Sequence, residues 1–138
     1  MTKLEKILYT ARAHTTGGRD DGTSRTDDGR LQVTLSRPGT PGNGTNPEQL
    51  FAAGYAACFG SAIMAVAGQN KLKPDDVAVT GEVTLVVNGH DYSIAVKLKA
   101  SIGGVSREEA EKLLHAAHQV CPYSKATRGN IPVELELL

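Results

Sequence analysis

Tryptophan is absent, cysteine and methionine occur twice each, and neither sign of charge predominates: 15 Lys and Arg stand against 15 Asp and Glu. With no block of like charge anywhere, the electrostatic footprint of a nucleic-acid or anionic-membrane binder is missing. The start, Met1-Thr2-Lys3-Leu4-Glu5-Lys6-Ile7, lacks the unbroken apolar core of a signal peptide, so the expected location is cytoplasmic. Two cysteines in that setting are reduced thiols, reactive or simply buried, rather than a structural staple. Repeats and low-complexity tracts are lacking too, and 138 residues suit a single domain, 1–138. No Gly-Lys-Ser/Thr follows the Gly17-Gly18 loop, which leaves little case for a phosphate site there.

What the chain does have is an uncharged run from Leu50 to Gly68 with Cys58 near its middle. Thr45-Asn46-Pro47-Glu48-Gln49 leads into it with the chemistry of a helix start. Asn46 is a favoured N-cap, Pro47 fits the first helical position, and Gln49 completes a capping-box spacing. The run is long enough to raise the question of a membrane span, which takes about 20 residues. Its many alanines and glycines make it a poor one. A helix apolar on every side has no solvent face, so we read it as the buried central helix of a small soluble protein. Ala53, Ala57, Ser61 and Ala65 recur four apart along one side, with Ala52, Ala56 and Gly60 beside them. Such a seam admits a close-packed partner, and two are open: a second copy of the helix, or a covering sheet.

Ile7 to Ala13 reads as a strand. Leu31, Val33 and Leu35 alternate with Gln32, Thr34 and Ser36 as a second, pairing with the first as an antiparallel hairpin across a long Arg-bearing connection. Ser36 to Gly44, with two prolines and three glycines, is a loop before the helix. Beyond the helix and the polar turn Lys71–Asp76, Val77–Val87 and Tyr92–Ala100 form a hairpin signalled by Asn88-Gly89. Ser106-Arg107-Glu108-Glu109 is a capping box, and Ala110, Leu113, Leu114, Ala117 and Val120 make a helical stripe. Cys121-Pro122 ends or bends that helix. A helical turn to Arg128 then stops at Gly129-Asn130, and Ile131, Val133, Leu135 and Leu137 make a last strand. The sum is an α+β domain with one long buried helix.

Cys58 has a bland reading as a small apolar filler whose pKa burial would raise. Cys121 differs: Pro122 suits the first position of the next helical turn, which makes Cys121 its N-cap, near backbone N–H groups that favour a thiolate. The spacing of the two neither requires nor forbids a disulfide. Arg19 reads as a solvated turn residue, and Glu48 as an acid favoured by the helix dipole. His115, His118 and Cys121, with Glu111 upstream, are the best metal candidates. Cys121 lies off that histidine face at a helix break, so partly exposed helix histidines are the simpler account.

Three stretches together resemble one family: Thr15-Thr16-Gly17-Gly18-Arg19, then Asn46-Pro47-Glu48-Gln49-Leu50-Phe51-Ala52-Ala53-Gly54-Tyr55-Ala56-Ala57-Cys58-Phe59, then Cys121-Pro122-Tyr123-Ser124-Lys125-Ala126-Thr127-Arg128-Gly129-Asn130. They are similar, in order and across the whole chain, to the organic hydroperoxide resistance (Ohr) proteins of the OsmC-like group. The resemblance implies a thiol-dependent peroxidase with the OsmC/Ohr-like α+β fold, needing no metal, haem or other cofactor. It implies an intertwined homodimer recycled by lipoylated proteins. It makes Cys58 the peroxidatic cysteine, Cys121 the resolving one, Arg19 the active-site arginine and Glu48 its carboxylate partner. One departure is visible: Asp20-Asp21 precede Gly22 where the family commonly has a single Asp.

The chemistry gives those residues reasons. A buried thiolate attacking a peroxide needs a nearby cation, and a guanidinium can face both sulfur and peroxide oxygens. A carboxylate behind it limits the cost of burying that charge. Glu48 and Cys58 are separated by about 15 Å of helix rise, so Glu48 is expected to serve the Cys58 of another subunit across antiparallel central helices. Phe51, Tyr55, Phe59, Ile63 and Met64 are candidates to line a pocket for a greasy peroxide. The competing reading is an OsmC-fold thiol redox sensor or binding protein that consumes one equivalent of peroxide and does not turn over.

Overall fold

The computed structural model describes residues 6–138, and the chain divides into two compact units, Met1–Pro47 and Glu48–Leu138. The first is a three-stranded antiparallel meander in the order β1 (Ala13–Thr16), β2 (Thr23–Thr26), β3 (Gln32–Thr34). This corrects the hairpin expected from apolar alternation. Ile7 to Arg12 are not in a strand, and β1 begins only at Ala13. Its partner is β2, a polar strand without alternation, held to it by hydroxyl pairs: Thr15 to Ser24 at 2.8 Å and Thr16 to Thr23 at 3.2 Å. Hydrogen-bonding side chains take the place of apolar cross-strand pairs here, which is why the period gave no sign of it.

The Ser36–Gly44 loop is closed on itself. The Gly44 N–H donates to the Ser36 hydroxyl at 2.9 Å, and Leu35 and Thr45 form an isolated parallel bridge. Leu35 is the one buried large apolar side chain among the described residues of this unit.

The second unit takes its shape from the long helix α1 (Pro47–Gln69), which begins where the Asn46-Pro47 signal puts it. Within the uniformly apolar run, Tyr55, Phe59, Ile63 and Val66 recur every three or four residues and are buried, together with Ala62 and Ala67. They pack with Val96, Leu98, Ala100 and Ile102 of one strand and with Ala110, Leu113, Leu114 and Ala117 of α2 (Arg107–Val120). The opposite side is open: Ala53, Ala57, Ser61 and Ala65 are exposed, and Met64 keeps 57% of its surface. Within one chain α1 is thus buried along one side, and the small-residue seam is the side that this chain leaves uncovered. By length and hydropathy alone α1 could cross a membrane, yet one face belongs to a protein core.

β4 (Asp76–Asn88) and β5 (Asp91–Gly103) pair antiparallel along their whole length. The two loop residues are Gly89 and His90, with Asn88 still in the strand. Only Gly89 has positive φ (66°), so the turn is of the II′ kind. β6 (Val133–Leu137) joins β5 in parallel, giving the order β4-β5-β6. That parallel pairing needs a crossover, and α2 with the short α3 (Pro122–Thr127) supplies it. The capping box forms as read: Ser106 Oγ accepts from the Glu109 N–H at 3.1 Å, and Glu109 accepts from the Ser106 N–H at 2.9 Å.

At Gly81 of β4 the α1 backbone passes close to the sheet; a Cβ there would lie 2.8 Å from the Ala52 carbonyl oxygen. Backbone cannot yield as a flexible side chain can. Gly81→Ala is expected to lower stability by about 1–3 kcal/mol. Gly68→Ala, where a Cβ meets open space near the end of α1, should raise it by about 0.5–1 kcal/mol. Paired urea melts of the two variants check both signs.

Candidate active site

Pro122 cannot continue α2, so the backbone leaves the helical region at Cys121 (φ −62°, ψ 124°). Cys121 thereby closes one helix and opens the next. Its N–H donates to Ala117 O at 2.8 Å, and its own carbonyl accepts from the Lys125 N–H at 3.0 Å. The break aims Cys121 Sγ at α1, where it stands 3.5 Å from Cys58 Sγ. Both cysteines are free thiols; Cys121 has no exposed surface, whereas Cys58 is half-buried.

Burial pushes the Cys58 thiol up, against the pull of the Tyr123 backbone N–H at the start of α3, which favours the thiolate. The Cys121 sulfur adds to the upward push, since two sulfurs this close resist both carrying charge.

An aromatic set borders the pair. Tyr55 meets Phe51, Phe59 and Tyr123 at ring-centroid distances of 6.1, 6.4 and 5.5 Å, and Phe51 meets Tyr123 at 5.9 Å. Gly54 makes room for this: a Cβ on it would come within 2.6 Å of the Tyr123 hydroxyl. Of the residues considered for a pocket, Tyr55, Phe59 and Ile63 are wholly enclosed, Phe51 is half-buried, and Met64 lies on the open side of α1.

Beneath the sulfurs lies a group that sequence reasoning missed. The Tyr55 hydroxyl shares hydrogen bonds with Ser124 Oγ at 2.7 Å and Thr127 Oγ1 at 3.1 Å, and Ser124 Oγ also meets His118 Nδ1 at 2.8 Å. The available signal was the three-residue spacing of Ser124 and Thr127 in the helical turn after Cys121, which makes their side chains neighbours. Burial, with the Arg128 and His115 charges behind it, pushes the His118 pKa down.

Glu48 is in the first turn of α1, and one continuous helix separates it from Cys58 by about 15 Å of rise, so α1 alone does not bring them together. Arg19 stands in the first unit, in a loop that starts with two left-handed glycines, Gly17 (φ 78°) and Gly18 (φ 73°). The Gly22 N–H closes the loop on Gly18 O at 3.1 Å. Asp20, the first of the two consecutive acids, is spoken for by Arg37 at 2.9 Å, which holds its carboxyl below the usual range. Of the metal candidates, His118 turns to Ser124 and His115 lies 3.8 Å from Glu111. No cluster of three potential ligands occurs among the described residues.

The OsmC-like protein family matches residues 38–136. The chain belongs to that family. Among OsmC-like relatives, it is 49% identical to an organic hydroperoxide resistance protein of Xanthomonas axonopodis pv. citri (strain 306), covering 99% of both chains. It is 45% identical to the organic hydroperoxide resistance protein OhrB of Bacillus subtilis (strain 168), covering 94% of this chain and 98% of the relative. The crystal structure of B. subtilis OhrB superposes with a TM-score of 0.90 over 96% of this chain and all of that one. The OsmC-like fold expected from the three motifs is thus the fold found.

Sulfurs 3.5 Å apart need to close to only about 2.05 Å to bond. One equivalent of a mild thiol oxidant is expected to join Cys58 to Cys121 within a chain, with native circular dichroism retained. Non-reducing peptide mapping checks this; oxidation that yields only mixed or intermolecular disulfides would contradict the geometry.

Proposed function

We propose that this protein is a thiol-dependent peroxidase that reduces organic hydroperoxides to alcohols. What supports the reading is the reduced sulfur pair at 3.5 Å, one member partly open and the other enclosed, in a chain whose relatives are named for organic hydroperoxide resistance. The Cys58 thiolate attacks the peroxide O–O bond; a sulfur–oxygen bond forms, and the alkoxide leaves and takes a proton to become the alcohol. Cys121 then displaces the sulfenic oxygen as water, giving a disulfide. A dithiol, either a lipoylated protein or a small dithiol, restores both thiols by exchange.

Because burial raises the Cys58 pKa, this chemistry requires a cation to offset it, and Arg19 is that cation. Glu48 orients the guanidinium. With Glu48 and Cys58 far apart on one rigid helix, the carboxylate serves the Cys58 of a second subunit in a cytoplasmic homodimer. The open seam Ala53, Ala57, Ser61 and Ala65 gives two α1 helices a face on which to cross. Phe51 borders the peroxide path over a floor of Tyr55 and Phe59. Met64, on the open side of α1, joins the pocket across the dimer, and these apolar surroundings favour an organic substrate over hydrogen peroxide.

Steady-state turnover with a dithiol reductant tests the reading. Many equivalents of an alkyl hydroperoxide should be consumed, faster than hydrogen peroxide, and none by Cys58→Ser. Consumption of a single equivalent would instead identify a redox sensor. Arg19→Ala should lose about a hundredfold in rate at neutral pH. A guanidinium lowers the thiol pKa, so part of that loss should return as pH rises toward the thiol's own value.

Subunit complementation tests the role of Glu48. A mixed dimer of Glu48→Gln and Cys58→Ser chains has one intact Cys58 facing the intact Glu48 of the other chain, and it should be active where each parent is not. An inactive mixed dimer would place the carboxylate and thiol in one chain.

A further inference from the structure

The hydroxyl set under the cysteines takes part in none of those steps. Tyr55 and Ser124 have no exposed surface and Thr127 keeps 4%. Hydroxyls in an apolar core are tolerated only when bonded, and among the described residues no buried side-chain polar atom lacks a partner. Apolar side chains would fill the space as well, so the three hydroxyls do something that packing does not.

Their places in the chain show what. Tyr55 is three residues before Cys58, Ser124 three after Cys121, and His118 three before Cys121. Each therefore lies within about one helical turn of a reacting sulfur along the chain, and Ser124 joins the other two, meeting Tyr55 at 2.7 Å and His118 at 2.8 Å. They tie α1, α2 and α3 together at one point beneath the pair. α3 has six residues, too few to hold its own position, so its seat on the other helices must come from such bonds. The hydrogens can be assigned so that every bond in the set has one donor, starting from Thr127. Thr127 Oγ1 donates to Ser124 O at 3.4 Å; Tyr55 then donates to Thr127, Ser124 to Tyr55, and His118 Nδ1–H to Ser124.

We propose that Tyr55, Ser124 and His118 are positioning residues for resolution, holding Cys121 Sγ beside Cys58 so that disulfide formation outruns overoxidation. The inference rests on the peroxidase reading above. Two fates compete for the Cys58 sulfenic acid. Cys121 attack forms the S–S bond, and the sulfenic oxygen leaves as water with the Cys121 proton. A second hydroperoxide instead transfers an oxygen atom to the sulfur, leaving a sulfinic acid and one alcohol. Which one wins depends on how closely Cys121 is held.

Reduced wild type, Ser124→Ala and His118→Phe are mixed with rising tert-butyl hydroperoxide and quenched, and intact-mass spectrometry counts disulfide and sulfinic acid. Both variants should form about tenfold more sulfinic acid per disulfide than wild type, the scale of one lost buried hydrogen bond. His118→Asn, whose amide nitrogen can donate from the place of Nδ1, should restore the wild-type ratio. General loss of stability would not be cured by that substitution, and melting curves report it separately. Should Ser124→Ala not fold, His118→Phe makes the same comparison from the half-buried end. A wild-type ratio in the folded variants overturns the positioning role. If Cys121→Ser gives no more sulfinic acid than wild type, the disulfide reading fails and the positioning role falls with it.

Discussion

Everything in the second unit follows from a helix that must stop at Cys121. Pro122 removes a backbone donor and forces the preceding residue out of helical conformation, so the chain turns at the sulfur. Had α2 run on, the thiol would have pointed along a helix face as any other side chain does. The break instead makes it the corner between two helices, directed into α1. A thiol there joins the core formed by α1, β5 and α2, and has no exposed surface although it stands at a chain junction.

The opposing requirement is electrostatic. An enclosed sulfur pair is a poor place for negative charge, and the local groups divide: burial and the second sulfur oppose a thiolate on Cys58, while one backbone N–H favours it. The Gly17-Gly18 loop presents an arginine on a short, closed turn, where successive left-handed glycines allow a backbone path that other residues rarely follow. Asp20, the first of the two acids after Arg19, is engaged with Arg37 in a surface ion pair.

How much of this could be read from the residues differs by element. The start of α1, the capping box at Ser106, the β4–β5 hairpin and the stop at Cys121 each had a local chemical marker and came out in place. The face of α1 that enters the core did not. Where every residue is apolar or small, no contrast separates the inner side from the outer: Ala67 is buried while the larger Met64 is exposed. β2 escaped notice because its cross-strand contacts are hydroxyl pairs, and Ile7 to Ala13 was overread because β-like composition does not supply a partner. The proximity of the sulfurs was open at the level of spacing and rested on family likeness. The hydroxyl set beneath them has no short motif at all: it is assembled from positions 55, 118, 124 and 127, and only folding brings them together.

The unequal enclosure of the two sulfurs imposes an order on traffic. A molecule approaching from solvent meets Cys58, which is half-buried, before Cys121, which has no exposed surface. In thiol–disulfide exchange the outcome depends on which sulfur is struck. A thiol entering a Cys58–Cys121 disulfide from solvent would by the same asymmetry attach to Cys58 and release Cys121 inward.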